Sequence, residues 1–191
     1  MSSDNPTGAD NQQERPSLST WLDAIPLDVG HYVAGFVDGE GSFNVPIRRT
    51  DDRGLPWRVG LSFNVSQVGP EAASFLRKLL GVGTMRGRGD GVHYFEVTRP
   101  DELEERIVPF FERFQLRLAK AKDFAVFREI TRLVRSGRHL HVSGIIEILE
   151  LRAPMNRGGK RRRTDDEIIR ALRDWESSEA IRKAPLLKSS G

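Results

Sequence analysis

Two glycines, Gly35 and Gly39, stand four residues apart in a segment of small, apolar and acidic residues, residues 31–43. On a helix, residues at this spacing share one face, which here carries a groove without side chains. Such a groove lets a second helix approach to near backbone contact. We expect the helix to end at Gly39–Gly41, which leaves Glu40 just beyond the packed face. If a second copy packs against the first, two Glu40 carboxylates converge, and a hard divalent cation is the usual way to neutralise them.

The core of this segment, Val-Ala-Gly-Phe-Val-Asp-Gly-Glu-Gly at residues 33–41, resembles the LAGLIDADG signature of homing endonucleases. Residues 142–150 echo the signature superficially, but they lack the second glycine and the Gly-Ser exit, so we interpret them as an ordinary amphipathic helix. With one motif, the chain is similar to the single-motif, intron-encoded members, which act as homodimers. The second half of the active site must then come from another subunit. The resemblance implies that Gly35, Phe36 and Gly39 lie at the dimer interface.

Hydrophobic periodicity predicts an α+β domain. From Trp57 to Gln67 apolar and polar residues alternate almost without fault, which is typical of a strand with one buried and one open face. The order of elements matches the αββαββα fold of the family, an antiparallel DNA-binding sheet with helices on its other face, plus C-terminal helices. Asp28 is the expected N-cap of the motif helix. The predicted strands are Ser42–Arg49, Trp57–Gln67, Thr84–Arg88 and Val92–Thr98, and the later helices are Pro70–Leu80, Pro100–Phe114, Leu118–Val134, Val142–Leu151 and Asp165–Trp175.

The composition predicts one domain, residues 17–184, between a disordered polar tail (1–16) and a frayed C-terminal tail (185–191). No apolar run approaches the ~18 residues of a membrane span, so we expect no membrane partner. The chain has no cysteine, which excludes disulfides and thiolate metal sites. We expect an intracellular protein in the compartment that holds its target genome, a bacterial cytoplasm or an organelle.

The resemblance also implies the catalytic residues. Glu40 of each subunit, with the backbone carbonyl of Gly39, would hold Mg²⁺, two or three divalent ions being shared by the dimer. The family usually has aspartate at this position, so the longer Glu40 side chain shifts the expected metal position. Gln67 matches a family glutamine that orders active-site water. The family's basic residue near the scissile phosphate corresponds to Lys120 or Lys122, and the register leaves both open.

The polar face of the sheet is predicted to read duplex DNA in the major groove, where base edges carry a distinct donor and acceptor code. Residues 152–163 hold six basic residues and no acidic one, which favours contact with phosphates. The predicted DNA contacts are Asn44, Arg48, Arg58, Ser62, Asn64, Ser66, Arg86, Arg88 and Tyr94 in the sheet, and Asn156, Lys160, Arg161, Arg162 and Arg163 in the basic segment.

Together these features predict a homodimeric, Mg²⁺-dependent, site-specific endonuclease that cuts double-stranded DNA by phosphodiester hydrolysis. The resemblance implies a long, pseudo-palindromic target, short 3′ overhangs and a mobile intron as gene context. Two alternatives stay open on the sequence. One is a splicing maturase that binds intron RNA, and the other is a non-catalytic DNA-binding regulator on the same scaffold.

Overall fold

The computed structural model describes residues 18–50, 54–155 and 163–183; the predicted tails lie outside these ranges. A π-helical turn at Leu103–Ile107 joins the short helix Pro100–Glu102 to the helix Val108–Arg113, and a 3₁₀ turn at Arg138–Leu140 precedes the helix Val142–Arg152. The helices are α1 (Leu18–Asp23), α2 (Leu27–Glu40), α3 (Glu71–Leu80), α4 (Pro100–Glu102), α5 (Val108–Arg113), α6 (Ala119–Arg135), α7 (Val142–Arg152) and α8 (Asp165–Lys183). The strands are β1 (Gly41–Asn44), β2 (Ile47–Arg49), β3 (Trp57–Val59), β4 (Ser62–Val68), β5 (Thr84–Gly87) and β6 (Val92–Val97).

Four antiparallel strands form the main sheet in the order β1-β4-β6-β5, and β2 pairs with β3 in a separate two-stranded sheet. The prediction of two unbroken strands, Ser42–Arg49 and Trp57–Gln67, was therefore wrong. Both break at the same level because Pro46 has no N–H to donate to a ladder. Its carbonyl accepts the N–H of Gly60 at 2.8 Å instead, and the hairpin bends there.

The inner face of the main sheet packs on α5 and α6 through phenylalanines. The Phe43 ring centroid lies 5.0 Å from that of Phe63, and 5.6 and 5.3 Å from those of Phe111 and Phe127. All four side chains are at most 1% exposed. The predicted alternation is confirmed in the first part of β4, where Phe63 and Val65 enter this core and the polar residues between and beside them lie on the other face, whereas Val68 at the strand end is exposed. The α+β architecture is confirmed as well.

Two helix ends differ from the prediction. The N-cap of α2 is Pro26 and not Asp28, because the Gly30 N–H already bonds to the Pro26 carbonyl at 3.0 Å. Asp28 lies in the first helical turn, where its charge complements the helix dipole. At the other end of the chain, α8 continues past Trp175 to Lys183. No glycine or proline interrupts this extension.

A second apolar cluster lies between α7, α8 and the β2–β3 hairpin. Trp57 of the hairpin is 6% exposed, and it packs in a cluster with Ile145, Leu149, Ile168 and Leu172 of the two helices. The C-terminal helices therefore cover the hairpin, whereas the main sheet is covered by α5 and α6. Across the described ranges, the helices include none that is both long and apolar enough to cross a bilayer.

Candidate active site and polar sheet face

The motif helix α2 ends at Glu40, and β1 begins at the next residue. The N–H of Gly41 closes the last turn on the carbonyl of Val37. The last carbonyls of a helix have no intrahelical donor and carry partial negative charge. The Gly39 carbonyl is one of them, and the exposed Glu40 carboxylate makes no hydrogen bond or ion pair with any described residue. This helix end therefore offers oxygen donors of the kind that hard divalent cations prefer.

One copy of the chain supplies only part of a metal site. The described residues contain no group of three or more histidine, aspartate or glutamate side chains arranged to hold an ion. Mg²⁺ takes six ligands but commonly keeps several waters and binds through one or two carboxylates plus substrate phosphate. The donors at the end of α2 thus fit Mg²⁺ in chemical type, and water, substrate phosphate or groups of a second copy would have to complete the ligand set.

Asp38, two residues before Glu40, ties the end of α2 to the start of α6. Its Oδ2 accepts the backbone N–H of Arg117 at 2.7 Å, and its carboxylate also accepts the N–H of Leu118 at 3.3 Å. Leu118 is the N-cap residue of α6. Asp38 therefore has a structural role and fixes the segment that carries the candidate lysines.

Lys120 and Lys122 both line a groove of about 930 Å³ between the start of α6 and β1, here called the lysine groove. Its opposite wall includes Ser42 and Asn44, whose side chains bond to each other, with Nδ2 of Asn44 donating to Oγ of Ser42 at 3.0 Å. The structure brings both lysines to this wall and does not select one. Arg117 also lines the groove. No role was assigned to Arg117 from the sequence.

Gln67 lies at the same end of the sheet as Glu40. The antiparallel register pairs Gly41, the first residue of β1, with Val65 of β4. Because β4 continues past this pair, Gln67 extends beyond β1 at the level where α2 ends. Its side chain is exposed. The register thus puts Gln67 and Glu40 in one neighbourhood although 26 positions separate them in the sequence.

Seven of the nine sheet residues predicted to read DNA share the outer face of the main sheet; the other two, Arg48 and Arg58, lie on the separate β2–β3 sheet, so the prediction of one common face was wrong for them. Directly paired positions lie on the same face, and Asn64 pairs with Glu96, while Ser66 and Arg86 both pair with Tyr94. Ser42 and Asn44 of β1 continue this row, since they pair with Asn64 and Ser62. We call this surface the polar sheet face; its members are Ser42, Asn44, Ser62, Asn64, Ser66, Arg86, Arg88, Tyr94 and Glu96.

Glu96 organises the middle of the polar sheet face. Nη2 of Arg86 lies 2.7 Å from Oε2 of Glu96, and Ser62 donates its hydroxyl to Oε1 at 3.1 Å. Ser62 is only 8% exposed, so its hydroxyl is held by this network. At the edge, Arg88 donates to the Tyr94 hydroxyl at 2.8 Å. This hydrogen bond, with the charge of Asp90, raises the pKa of Arg88 above its ordinary value.

Arg48 and Arg58 lie on the paired strands β2 (Ile47–Arg49) and β3 (Trp57–Val59), which we call the arm. The two arginines are directly opposite each other in the ladder, and both are exposed. Like charges in this arrangement destabilise a strand pair. Two exposed arginines side by side also form a local basic surface of the kind that suits a polyanion. Arg49, which was not among the predicted DNA contacts, is also exposed and follows Arg48 on β2.

Four of the five DNA contacts predicted in the basic segment, Asn156, Lys160, Arg161 and Arg162, lie outside the described residues. Arg163 is described, and its guanidinium carbon lies 5.6 Å from the ring centroid of Trp57. This is a cation–π distance. Arg163 therefore lies beside the arm.

The face of α2 that holds Gly35 and Gly39 is open. A Cβ added to either glycine would meet no atom within 4 Å. Tyr32 and Phe36 stand on the same helical stripe, with their rings stacked at 6.5 Å, and Tyr32 is 66% exposed. These four residues form the glycine face. Gly30 is different, because a Cβ there would lie 2.2 Å from the Phe114 ring.

Comparison with known proteins assigns this arrangement to a family. The family model described as LAGLIDADG endonuclease matches residues 33–131, just over half of the chain. Probable intron-encoded endonuclease 3 of Neurospora crassa is 32% identical over 129 residues, which cover 65% of this chain. The alignment covers 24% of that relative, so this chain spans about a quarter of its length.

Solved structures show the same fold. The crystal structure of the homing endonuclease I-TnaI superposes with a TM-score of 0.65 at 30% identity, covering 79% of this chain and 97% of that one. The archaeal intron-encoded homing endonuclease I-Vdi141I, solved in complex with DNA, superposes with a TM-score of 0.72 at 23% identity, covering 78% and 96%. The chain belongs to the LAGLIDADG endonuclease family.

Proposed function

We propose that this protein is a site-specific homing endonuclease that cuts double-stranded DNA as a homodimer with a divalent metal ion, Mg²⁺. One observation carries the proposal: Glu40 lies at the end of the open glycine face, and Asp38, two residues before it, fixes the segment that carries Lys120 and Lys122. The carboxylate and glutamine candidates therefore lie at one end of the sheet, and Asp38 ties the segment that carries the lysine candidates to the same helix.

The homodimer follows from the glycine face. Two copies packed through Gly35, Phe36 and Gly39 would place two Glu40 carboxylates near a two-fold axis, where one copy completes the metal ligands of the other. A two-fold arrangement also explains a long, pseudo-palindromic target, because each copy would read one half. Cleavage of both strands with short 3′ overhangs is the expectation from the family resemblance.

Each candidate residue has a separate task in this proposal. Glu40 and the Gly39 carbonyl would hold Mg²⁺, which would supply Lewis acidity at the attacking and leaving oxygens. Gln67 would orient water. Lys120 or Lys122 would neutralise charge that develops on the phosphate.

The polar sheet face and the arm would hold the duplex. A two-stranded ribbon fits the major groove, where arginine suits guanine or phosphate and amide side chains suit other base edges. Asn156, Lys160, Arg161, Arg162 and Arg163 would contact phosphates, so binding is expected to weaken steeply with salt. The protein would act in the compartment that holds its target genome, and its gene would lie in a mobile intron.

The experiment that tests this function is cleavage of a linear duplex that spans the gene's own uninterrupted insertion site, with Mg²⁺. The matched control is the same duplex with the insertion in place, which separates the two halves of the target. We expect both strands to be cut at one locus in the uninterrupted duplex only. Binding of that duplex without cleavage would instead support a DNA-binding regulator. Tighter binding to folded intron RNA than to the duplex at the same salt would support a maturase.

A further inference from the structure

The arm is too small to hold its position alone. A two-stranded hairpin is marginally stable at best in water, and the arm also carries the facing pair Arg48 and Arg58. Its apolar side is anchored by Trp57 in the cluster with α7 and α8. The direction of the arm therefore depends on how these helices are fixed to the bend that joins the arm to the main sheet.

Arg152, the last residue of α7, makes that connection. It is 7% exposed. Its Nη1 donates to the carbonyl of Val45 at 2.5 Å, and its Nη2 bonds to Oδ1 of Asp165, also at 2.5 Å. Val45 immediately precedes Pro46, where the strand breaks, and Asp165 is the first residue of α8.

One guanidinium thus joins the end of α7, the start of α8 and the bend of the hairpin. Its planar fork suits two acceptors in fixed directions, which a lysine ammonium does not reproduce. A buried ion pair of this kind is weak evidence for stability but can hold one arrangement in preference to others. The family model match ends at residue 131, so Arg152 and Asp165 both lie outside it.

We infer that Arg152 is a positioning residue that sets the direction of the arm, and through it determines which outer base pairs Arg48 and Arg58 reach. This inference rests on the proposed function. It does not involve the cleavage chemistry, because Arg152 is not among the residues that line the lysine groove, and it donates to Val45 and Asp165 rather than to a candidate catalytic residue. Loss of Arg152 is therefore expected to affect recognition of the outer target and to spare the chemical step.

The test is a double-mutant cycle measured on the cleaved duplex. Arg152→Met is expected to raise KM about tenfold, the effect of one lost set of base or phosphate contacts, with kcat within twofold of the wild type. Adding Arg48→Ala to Arg152→Met should then cost less than twofold more, because an arm that has lost its position no longer uses Arg48. Arg86→Ala, on the main sheet, should cost as much in the variant as in the wild type.

Two further variants separate positioning from folding. If Arg152→Met folds poorly, Asp165→Asn takes its place in the test. This variant removes the charge of Asp165 but keeps a hydrogen-bond acceptor, and we expect a rise in KM smaller than tenfold. Arg138→Met removes a surface arginine that pairs with Glu147 at 2.7 Å near the start of α7, and it should leave KM unchanged. Hydrogen exchange without DNA should show faster exchange of the β2–β3 amides in the Arg152 variant, with β4–β6 amides unchanged.

The outcomes distinguish this inference from the proposed function. If the wild type cuts its duplex and Arg48→Ala costs the same with and without Arg152, the inference is overturned and the endonuclease stands. Equal exchange of the arm amides in both proteins would also overturn it. If the wild type cuts no duplex, the proposed function fails, and the inference fails with it.

Discussion

The Asp38 carboxylate accepts the backbone N–H of Arg117 at 2.7 Å, across 79 positions of the sequence. Asp38 is on the motif helix, two residues before Glu40, and Arg117 precedes the helix that carries Lys120 and Lys122. One side chain of the motif therefore sets the distance between the candidate metal ligand and the candidate lysines. The motif is thus both a packing surface and a link between the parts of the site.

Asp38→Ala should lower both stability and activity. The backbone N–H groups of Arg117 and Leu118 lose their acceptor, which should reduce the free energy of unfolding by about 1 kcal/mol. Urea denaturation checks this value. Because the start of α6 is no longer fixed, kcat should also fall at temperatures where the variant is fully folded, so this loss does not come from unfolding.

Glu150→Ala is the matched control for that variant. Glu150 lies near the end of α7, and its exposed side-chain carboxylate makes no hydrogen bond or ion pair with any described residue. We expect no loss of stability or activity from its removal. A kcat for Asp38→Ala equal to that of the wild type would show that the link to α6 is not needed for chemistry.

Gly35→Leu should separate dimerisation from folding. A Cβ at Gly35 meets nothing within 4 Å in one copy, so the folded chain tolerates a side chain there, while a helix of a second copy would not. We expect Gly35→Leu to sediment as a monomer in analytical ultracentrifugation. We also expect it to unfold cooperatively on heating, which would show that the monomer is folded. Gly30→Ala is the contrasting variant, since overpacking against Phe114 should cost about 1–3 kcal/mol. Persistence of the Gly35→Leu dimer would refute packing through the glycine face.

Much of this architecture could be predicted from local patterns. The small-residue spacing at Gly35 and Gly39 predicted an open helix face, and the alternation before Gln67 predicted the two faces of the sheet. The break at Pro46 was missed because the hydrophobic pattern continues through it, although the missing N–H was a signal. The contacts of Arg152 could not have been predicted, because its partners Val45 and Asp165 are brought together only by tertiary structure.

Stability should fall at acidic pH through His139. Burial lowers its pKa, with a backbone hydrogen bond at Val134 partly opposing the shift. In the unfolded chain the histidine side chain titrates at about pH 6.5. As the pH falls through that value, the unfolded state binds a proton that the folded state binds only at lower pH, so the free energy of unfolding decreases.

His139→Phe removes this contribution. Urea denaturation at pH 7.5 and at pH 5.5 should show a smaller loss of stability for the variant than for the wild type. The carboxylates contribute equally to both proteins, so the difference between them isolates the histidine. Identical losses would mean that burial of His139 does not oppose its protonation.

Arg48→Gln should change stability and DNA binding in opposite directions. Removing one of two facing arginines relieves repulsion in the ladder, so the free energy of unfolding should rise slightly, by up to about 0.5 kcal/mol. Binding to duplex DNA should weaken, and the slope of log K against log salt should become about 0.9 less steep if Arg48 neutralises one phosphate. Fluorescence anisotropy over a salt series measures that slope. A weaker affinity with an unchanged slope would instead assign Arg48 to a base edge.

The central claim is that Glu40 is required for cutting and not for binding. The most direct measurement compares the wild type with Glu40→Gln on the uninterrupted insertion-site duplex, recording cleavage with Mg²⁺ and affinity in Ca²⁺ in parallel. We predict that the wild type cuts both strands at one locus, and that Glu40→Gln binds within about threefold of the wild-type affinity while its cleavage rate falls at least about 10³-fold, as expected when a group that acts in the transition state is removed. Cleavage by Glu40→Gln at the wild-type rate would contradict the account.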